Sequence, residues 1–294
     1  MKSLHLLLGL VLLVPEVARA ADDKKLDDKK PNAKQDDSAV ETVKDIAYYE
    51  GKDADPVRHK LDLYLPKGKK DFPVVMFVHG GTWKSGKKDL YAQLGEVFAR
   101  NGVGMVIVNY RLSPAVQHPA HVQDVAKAFA WTFRNIAKYG GRPEQVFVCG
   151  HSAGGHLVAL LATAQNYLEA EKLDLGKIKG VIALSGVYNI SGDRLSQAFG
   201  TDPKVHEEAS PLKHVKGGLP PFLIVYADND FAGLDGLAQA MGKALKAKGD
   251  SVEVVKMDNR DHYTIIRSML TETDPTTQAT LKFIKKLTEK PTQK

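Results

Sequence analysis

The chain has 294 residues, of which 43% are hydrophobic and 26% are charged, and its formal net charge is +6. This composition is ordinary for a globular protein with a large core, and the single cysteine, Cys149, excludes an internal disulfide. The lysines are spread along the chain, and the densest late group has the spacing of a solvated helix face, so the positive charge does not predict a nucleic-acid partner.

The N-terminus has the pattern of a secretory signal peptide over residues 1–20. A lysine precedes the apolar run 6–14, and an Ala-Arg-Ala cleavage pattern follows it. The run is too short to span a bilayer, so we expect an exported protein, periplasmic or secreted, without a stable membrane span after cleavage; an uncleaved N-terminal anchor is the alternative. Residues 21–40 are predicted to be a charged, disordered spacer, and residues 41–294 a catalytic domain.

Eight stretches have the length and pattern of β-strands. The first two predict an antiparallel hairpin, and most of the others are continuously apolar, as strands covered on both faces are. The predicted strands are 43–49, 59–64, 73–79, 103–110, 146–149, 179–185, 222–227 and 251–257. Helices are predicted at 90–101, 120–139, 156–165, 234–248 and 275–289. This alternation predicts an α/β fold with a mostly parallel central sheet and helices on both faces.

One interval breaks the alternation of strands and helices. Residues 186–219 lie between two predicted strands, exceed the length of an ordinary connection and contain no long periodic helix. We interpret them as a cap-like insertion, because segments inserted at strand ends commonly shape the access of substrate.

A strand, a sharp glycine turn and a helix follow one another in residues 146–165. The strand runs into Gly150-His151-Ser152-Ala153-Gly154, a G-x-S-x-G pattern, which Gly155 and a helical run follow. Glycines are needed there because the serine sits on a strained backbone and the strand passes the helix too closely for a Cβ atom. This is the context that a nucleophile elbow requires, so we predict that Ser152 is a nucleophile.

A serine hydroxyl is a weak nucleophile unless a base takes its proton, and the base needs a carboxylate that fixes its tautomer. In such a fold the partners follow in the order serine, acid, histidine. His262 follows the last predicted strand and every acid candidate, within a polar loop. Asp230 and Asp228 both follow the end of the strand 222–227, at the edge of the sheet where such sites form. We prefer Asp230 as the acid, and Asp228 is the alternative. The other interpretation of Asp228 is that it braces the turn through its own backbone. Asp261 is a third candidate, for which a loop hydrogen bond or a surface charge is the favoured role.

Acyl transfer also needs N–H donors at the point where the carbonyl oxygen becomes negative. The sequence His-Gly-Gly-Thr-Trp at 79–83 follows the first long buried strand, from which this kind of fold supplies backbone N–H groups. We predict an oxyanion hole formed by the amides of Gly81, Thr82 and Ala153. A flexible glycine turn is the alternative interpretation of this stretch.

Together these motifs resemble the α/β-hydrolase superfamily, and within it the carboxylesterases, lipases and arylformamidases marked by H-G-G-x-W or H-G-G-G. The resemblance extends over residues 72–264. Its residues are His79-Gly80-Gly81-Thr82-Trp83, Asn109-Tyr110-Arg111-Leu112, Pro119, Asp124, Trp131, Gly150-His151-Ser152-Ala153-Gly154-Gly155, Asp230 and His262. The resemblance implies the α/β-hydrolase fold, with Ser152 as nucleophile, His262 as base and Asp230 as its orienting acid. It also implies that His79 and Asp124 are structural residues that hold the oxyanion loop.

Two features depart from the pattern of this group. Tyr226-Ala227 stands where many relatives carry His-Gly before the acid loop, which affects packing more than chemistry. Thr82 replaces a third glycine and Trp83 follows it, which favours the H-G-G-x-W branch. That branch includes kynurenine formamidases and small esterases, among them feruloyl and acetyl esterases.

Three hypotheses of function follow. The first is a serine esterase that cleaves small carboxylic esters, with acyl or aromatic groups, through an acyl-enzyme. The second is an arylformamidase acting on N-formylkynurenine, which the expected export makes second in rank. The third is a non-catalytic binding module on a hydrolase scaffold, which the complete set of triad residues disfavours. The histidines lack ligand spacing with carboxylates or cysteines, so we expect neither a metal nor an organic cofactor.

Overall fold

An eight-stranded sheet forms the centre of the protein in a computed structural model that describes residues 39–289. The strands are β1 (Val40–Ala47), β2 (Lys60–Pro66), β3 (Phe72–Val78), β4 (Gly104–Val108), β5 (Gly141–His151), β6 (Gly180–Leu184), β7 (Phe222–Asn229) and β8 (Val252–Asp261). Their order across the sheet is β1-β2-β4-β3-β5-β6-β7-β8. Strand β2 is antiparallel to both of its neighbours, and the six strands β3 to β8 are mutually parallel. The predicted hairpin and the mostly parallel sheet are confirmed.

Helices cover both faces of this sheet, as predicted. The α-helices of the described chain are α1 (Ala92–Arg100), α2 (Ala120–Asn135), α3 (Ala153–Thr163), α4 (Asn166–Ala170), α5 (Ser196–Phe199), α6 (Pro203–Glu208), α7 (Leu234–Ala247), α8 (Thr264–Arg267) and α9 (Pro275–Thr288). Successive residues of β3 point to opposite faces, so Met76 packs in the core beneath α2, α3 and α7, whereas Phe77 packs in the core beneath α1, α8 and α9. Each face therefore has its own apolar core.

The predicted boundaries differ from the observed ones at the centre of the sheet. Strand β5 begins at Gly141, five residues before the prediction, because its pairing with β3 continues through an irregularity to Phe72. Helix α3 begins at Ala153, directly after the serine, and not at His156. The one-turn helices α4 and α8 were not predicted, because so short a segment has no detectable period.

The insertion 186–219 contains only short helical segments, α5, α6 and two 3₁₀ turns. It packs on the body of the domain through the buried ring of Phe199 and through the amide of His118, which donates to the carbonyl of Ala198 at 2.8 Å. Its action as a cap stays a prediction.

The predicted signal peptide and most of the predicted spacer lie outside residues 39–289. Within that range no helix has both the length and the apolarity needed to cross a bilayer.

Candidate active site

Ser152 occupies the sharp turn between β5 and α3. Its backbone has φ 55° and ψ −118°, a conformation that costs a non-glycine residue about 1–3 kcal/mol. The turn is held tightly, since the amide of Ser152 donates to the carbonyl of Leu184 at 2.9 Å. A Cβ atom added to Gly154 would lie 2.0 Å from the carbonyl oxygen of Val78, and one added to Gly150 would lie 2.3 Å from that of Gly154. The glycines thus permit the close passage that exposes the serine hydroxyl.

The side chains of Ser152, His262 and Asp230 form a hydrogen-bonded series at the carboxyl edge of the sheet. Ser152 Oγ lies 2.9 Å from His262 Nε2, and His262 Nδ1 lies 2.7 Å from Asp230 Oδ1. The side chains of the histidine and the aspartate are only 5% and 2% exposed. Because a carboxylate only accepts, Nδ1 carries the proton and Nε2 accepts from the serine hydroxyl. This tautomer is the one that a general base requires.

Asp230 receives further hydrogen bonds that keep it ionised. Ser185 Oγ donates to Asp230 Oδ2 at 2.5 Å, and the amides of Ala227 and Phe231 donate to the carboxylate at 3.2 and 2.9 Å. Burial alone would raise the pKa of Asp230, but the hydrogen bonds from His262 and Ser185 outweigh it, and the pKa lies below its usual value. The role of Ser185 was not predicted, although this serine directly follows β6, and the acid directly follows the adjacent strand β7.

The two alternative acids are occupied elsewhere. Asp228 accepts from the amides of residues 259–260, both at 2.9 Å, and so braces the loop that leads to the base. Asp261 accepts from the amides of residues 263–264 at 2.9 and 2.7 Å. Within residues 39–289, Asp230 is the only carboxylate that is hydrogen-bonded to the imidazole of the candidate base.

Two further rings border the imidazole of His262. Phe231 stacks on it with ring centroids 4.1 Å apart and an interplanar angle of 21°. The ring of His151 lies 4.8 Å away, and its Nε2 donates to the carbonyl of His262 at 2.8 Å. Burial lowers the pKa of His151 to about 3, so this ring is neutral. Neither His151 nor Phe231 was predicted to have a role, although each is adjacent in sequence to a predicted triad residue.

The predicted oxyanion loop lies against the serine. A Cβ atom on Gly80 would be 3.1 Å from the Cβ of Ser152. Gly81, Thr82 and Trp83 all have positive φ, at 114°, 52° and 60°, so the loop doubles back sharply. The amides of Gly81, Thr82 and Ala153 donate to no acceptor among the described residues.

His79 and Asp124 lie in the buried support of this loop. Nδ1 of His79 donates to the carbonyl of Gly80 at 2.8 Å, and burial lowers the pKa of this histidine to about 4. Asp124 forms an ion pair with Arg111 at 2.7 Å, and so ties helix α2 to the segment after β4; its Oδ1 also lies 3.0 Å from Nε2 of His59. His79 contacts the oxyanion loop directly, whereas Asp124 stabilises the scaffold around it. In the described range no cluster of three or more His, Cys, Asp or Glu side chains is arranged to hold a metal ion.

Known proteins are similar in sequence to most of the domain that carries this site. The family model described as BD-FAE matches residues 61–232. Esterase LipC of Mycobacterium tuberculosis is 33% identical over 193 residues, which cover 58% of this chain and 48% of LipC. The chain spans about half the length of this and similar curated relatives. A kynurenine formamidase of Danio rerio is 28% identical over 261 residues, which cover 85% of this chain and 84% of the formamidase.

A comparison of three-dimensional structures shows a similar fold in a solved esterase. The crystal structure of esterase B from Lactobacillus rhamnosus superimposes with a TM-score of 0.71 at 22% sequence identity. The match covers 85% of this chain and 86% of esterase B. The expected α/β-hydrolase fold is therefore confirmed.

Proposed function

Because the chain belongs to the BD-FAE family of the α/β-hydrolase superfamily, we propose that it is a serine hydrolase that cleaves carboxylic esters of small acyl or aromatic substrates through an acyl-enzyme. The observation that carries the proposal is the hydrogen-bonded series Ser152–His262–Asp230, at 2.9 and 2.7 Å, beside three amides that donate to no acceptor within residues 39–289. The similarity to LipC, a protein named as an esterase, supports ester cleavage.

The first half of the reaction forms the acyl-enzyme. Ser152 Oγ attacks the carbonyl carbon of the ester while its proton passes to Nε2 of His262. The imidazolium is stabilised by the buried carboxylate of Asp230, and the negative oxygen accepts from the amides of the oxyanion loop and of Ala153. The tetrahedral intermediate then expels the alcohol, which takes the proton from Nε2, and the acyl group remains on Ser152.

The second half returns the enzyme to its starting state. Water loses a proton to Nε2 of His262 and attacks the acyl carbon, and the same amides hold the second oxyanion. The carboxylic acid leaves as Ser152 Oγ recovers its proton. The tautomer set by Asp230 serves both halves, because Nε2 acts as acceptor and donor in turn while Nδ1 keeps its proton.

Turnover of p-nitrophenyl acetate tests the proposal. The unaltered protein should release p-nitrophenol with saturation kinetics, and Ser152→Ala should lower kcat by about 10⁶-fold. Ser251→Ala, at an exposed serine before β8, is the matched control and should leave kcat unchanged. Undiminished turnover in Ser152→Ala would refute the assignment of the nucleophile.

Formamide cleavage is the second candidate, and the similarity to a kynurenine formamidase over most of both chains favours it. The same site is suited to it, since Nε2 of His262 would protonate an amine in place of an alcohol. The ratio of kcat/KM for phenyl acetate and N-formylkynurenine separates the two activities. A ratio above one supports the esterase, and a ratio below one makes the formamidase the principal activity.

A further inference from the structure

The indole of Trp83 anchors the oxyanion loop in the interior of the protein. Trp83 directly follows the predicted donors Gly81 and Thr82, and its side chain is buried. Its Nε1 lies 3.2 Å from Nδ1 of His156, and the two rings meet edge to face with centroids 5.1 Å apart. The indole N–H only donates, so Nδ1 of His156 is the acceptor.

The other nitrogen of His156 reaches the insertion. With Nδ1 as acceptor, the neutral ring carries its proton on Nε2, which donates to the carbonyl of Ala209 at 2.7 Å. His156 is fully buried on helix α3, and burial lowers its pKa to about 3. The imidazole thus stays neutral and makes both hydrogen bonds at once.

Aromatic packing reinforces this connection. Phe199, on the insertion's helix α5, meets Trp83 edge to face at 4.8 Å and His156 at 5.5 Å. The insertion therefore reaches the loop by two routes, one polar through Ala209 and one apolar through Phe199.

The loop needs such support because of its backbone. Thr82 and Trp83 are consecutive non-glycine residues with positive φ, and such conformations persist only where the surrounding structure imposes them. We propose that the insertion 186–219 fixes the oxyanion loop through the two buried hydrogen bonds that join Trp83, His156 and Ala209. His156 is then a positioning residue for the oxyanion hole. This inference rests on the proposed hydrolase function.

The proposal predicts a particular kinetic signature. The oxyanion exists only in the transition state and in the intermediates, so a displaced loop lowers kcat while ground-state binding is kept. Trp83→Phe removes the indole donor, and His156→Leu removes the acceptor. Each should lower kcat for p-nitrophenyl acetate by about 10- to 100-fold and change KM by less than about threefold.

A double variant, a rescue variant and a control variant isolate the contribution of the hydrogen bond between Trp83 and His156. The double variant Trp83→Phe/His156→Leu should be no slower than the slower single variant, since both break one connection. His156→Asn, whose Oδ1 can accept from the indole, should recover part of the activity lost in His156→Leu. Trp131→Phe makes the same change at the chain's other tryptophan, on α2, and should leave kcat unchanged. Additive losses, or an equal loss in Trp131→Phe, would overturn the proposal.

A second measurement does not depend on turnover. In Trp131→Phe, Trp83 is the only tryptophan, so its indole ¹H–¹⁵N resonance is directly assigned. We expect a downfield, slowly exchanging resonance that moves upfield in His156→Leu. A resonance insensitive to His156 would overturn the inference even if the esterase activity is real. Absence of turnover in the unaltered protein, together with the expected resonance, would instead count against the proposed function.

Discussion

The nucleophile elbow and the loops that carry the acid and the base are stabilised in different ways. Around Ser152 the backbone itself fixes the geometry, because Gly154 passes so close to Val78 that no Cβ atom fits between them. Asp230 and His262 are instead positioned by side-chain hydrogen bonds, including one from Ser185, which directly follows the neighbouring strand β6. The elbow is thus specified locally, whereas the acid–base pair depends on residues that are distant in sequence.

The acid–base side should show the largest effect on rate. Asp230→Asn keeps the shape but removes the carboxylate that fixes the tautomer of the candidate base, and kcat should fall by about 10⁴-fold. Asp228→Asn and Asp261→Asn make the same change at carboxylates that bind only loop groups, and each should cost less than about tenfold in kcat. Steady-state kinetics on p-nitrophenyl acetate decide the matter, and an Asp228→Asn variant slower than Asp230→Asn would assign the acid to Asp228.

The elbow should instead respond to an added methyl group. Gly154→Ala places a Cβ atom 2.0 Å from a backbone oxygen, and the free energy of unfolding should fall by about 3 kcal/mol or more. Gly236→Ala, at an exposed helical position on α7 with no atom near the new methyl, should raise that free energy by about 0.5–1 kcal/mol. Urea denaturation measures both variants. Equal changes at the two positions would show that backbone contact does not hold the elbow.

Ser185 tests how far the acid depends on its neighbouring strand. Ser185→Ala removes one donor to a buried, ionised carboxylate, a hydrogen bond of about 1.5–3 kcal/mol, and kcat should fall by about tenfold. The fall in kcat has its cause in a less precise orientation of the base, so KM should not change. If the rate of Ser185→Ala equals that of Ser251→Ala, Asp230 is positioned without this serine.

The smallest expected effect is on stability in acid. The pKa of Asp230 is depressed by its hydrogen bonds, so the ionised carboxylate stabilises the fold above its unfolded pKa of about 4. This contribution is lost as the pH falls through the lower pKa of the folded state. Asp230→Asn lacks the titrating group, so its free energy of unfolding should fall less steeply below about pH 4 than that of the unaltered protein. If the free energy of unfolding of the two proteins falls with pH along parallel curves, the carboxylate contributes no such stability.

The sequence was sufficient for what local pattern determines. The length and apolar pattern of short segments located all eight strands, two of them as a hairpin and most of the others as continuous apolar runs. Gly150, Ser152 and Gly154 located the elbow, because the glycines and the flanking strand are adjacent in the chain. Ser185 and Phe231 were missed because their roles arise only when parallel strands bring their ends together. The start of β5 was misplaced for a similar reason, since its first residues are held by pairing with β3 and not by an apolar pattern.

Covalent labelling by a fluorophosphonate tests the central claim most directly. The reagent is attacked only by an activated serine, and its phosphoryl oxygen takes the place of the oxyanion. Mass spectrometry of the digested protein should show one adduct per chain, on Ser152, with labelling absent in Ser152→Ala and strongly slowed in His262→Ala. An unlabelled protein, or an adduct that persists in Ser152→Ala, would contradict the account.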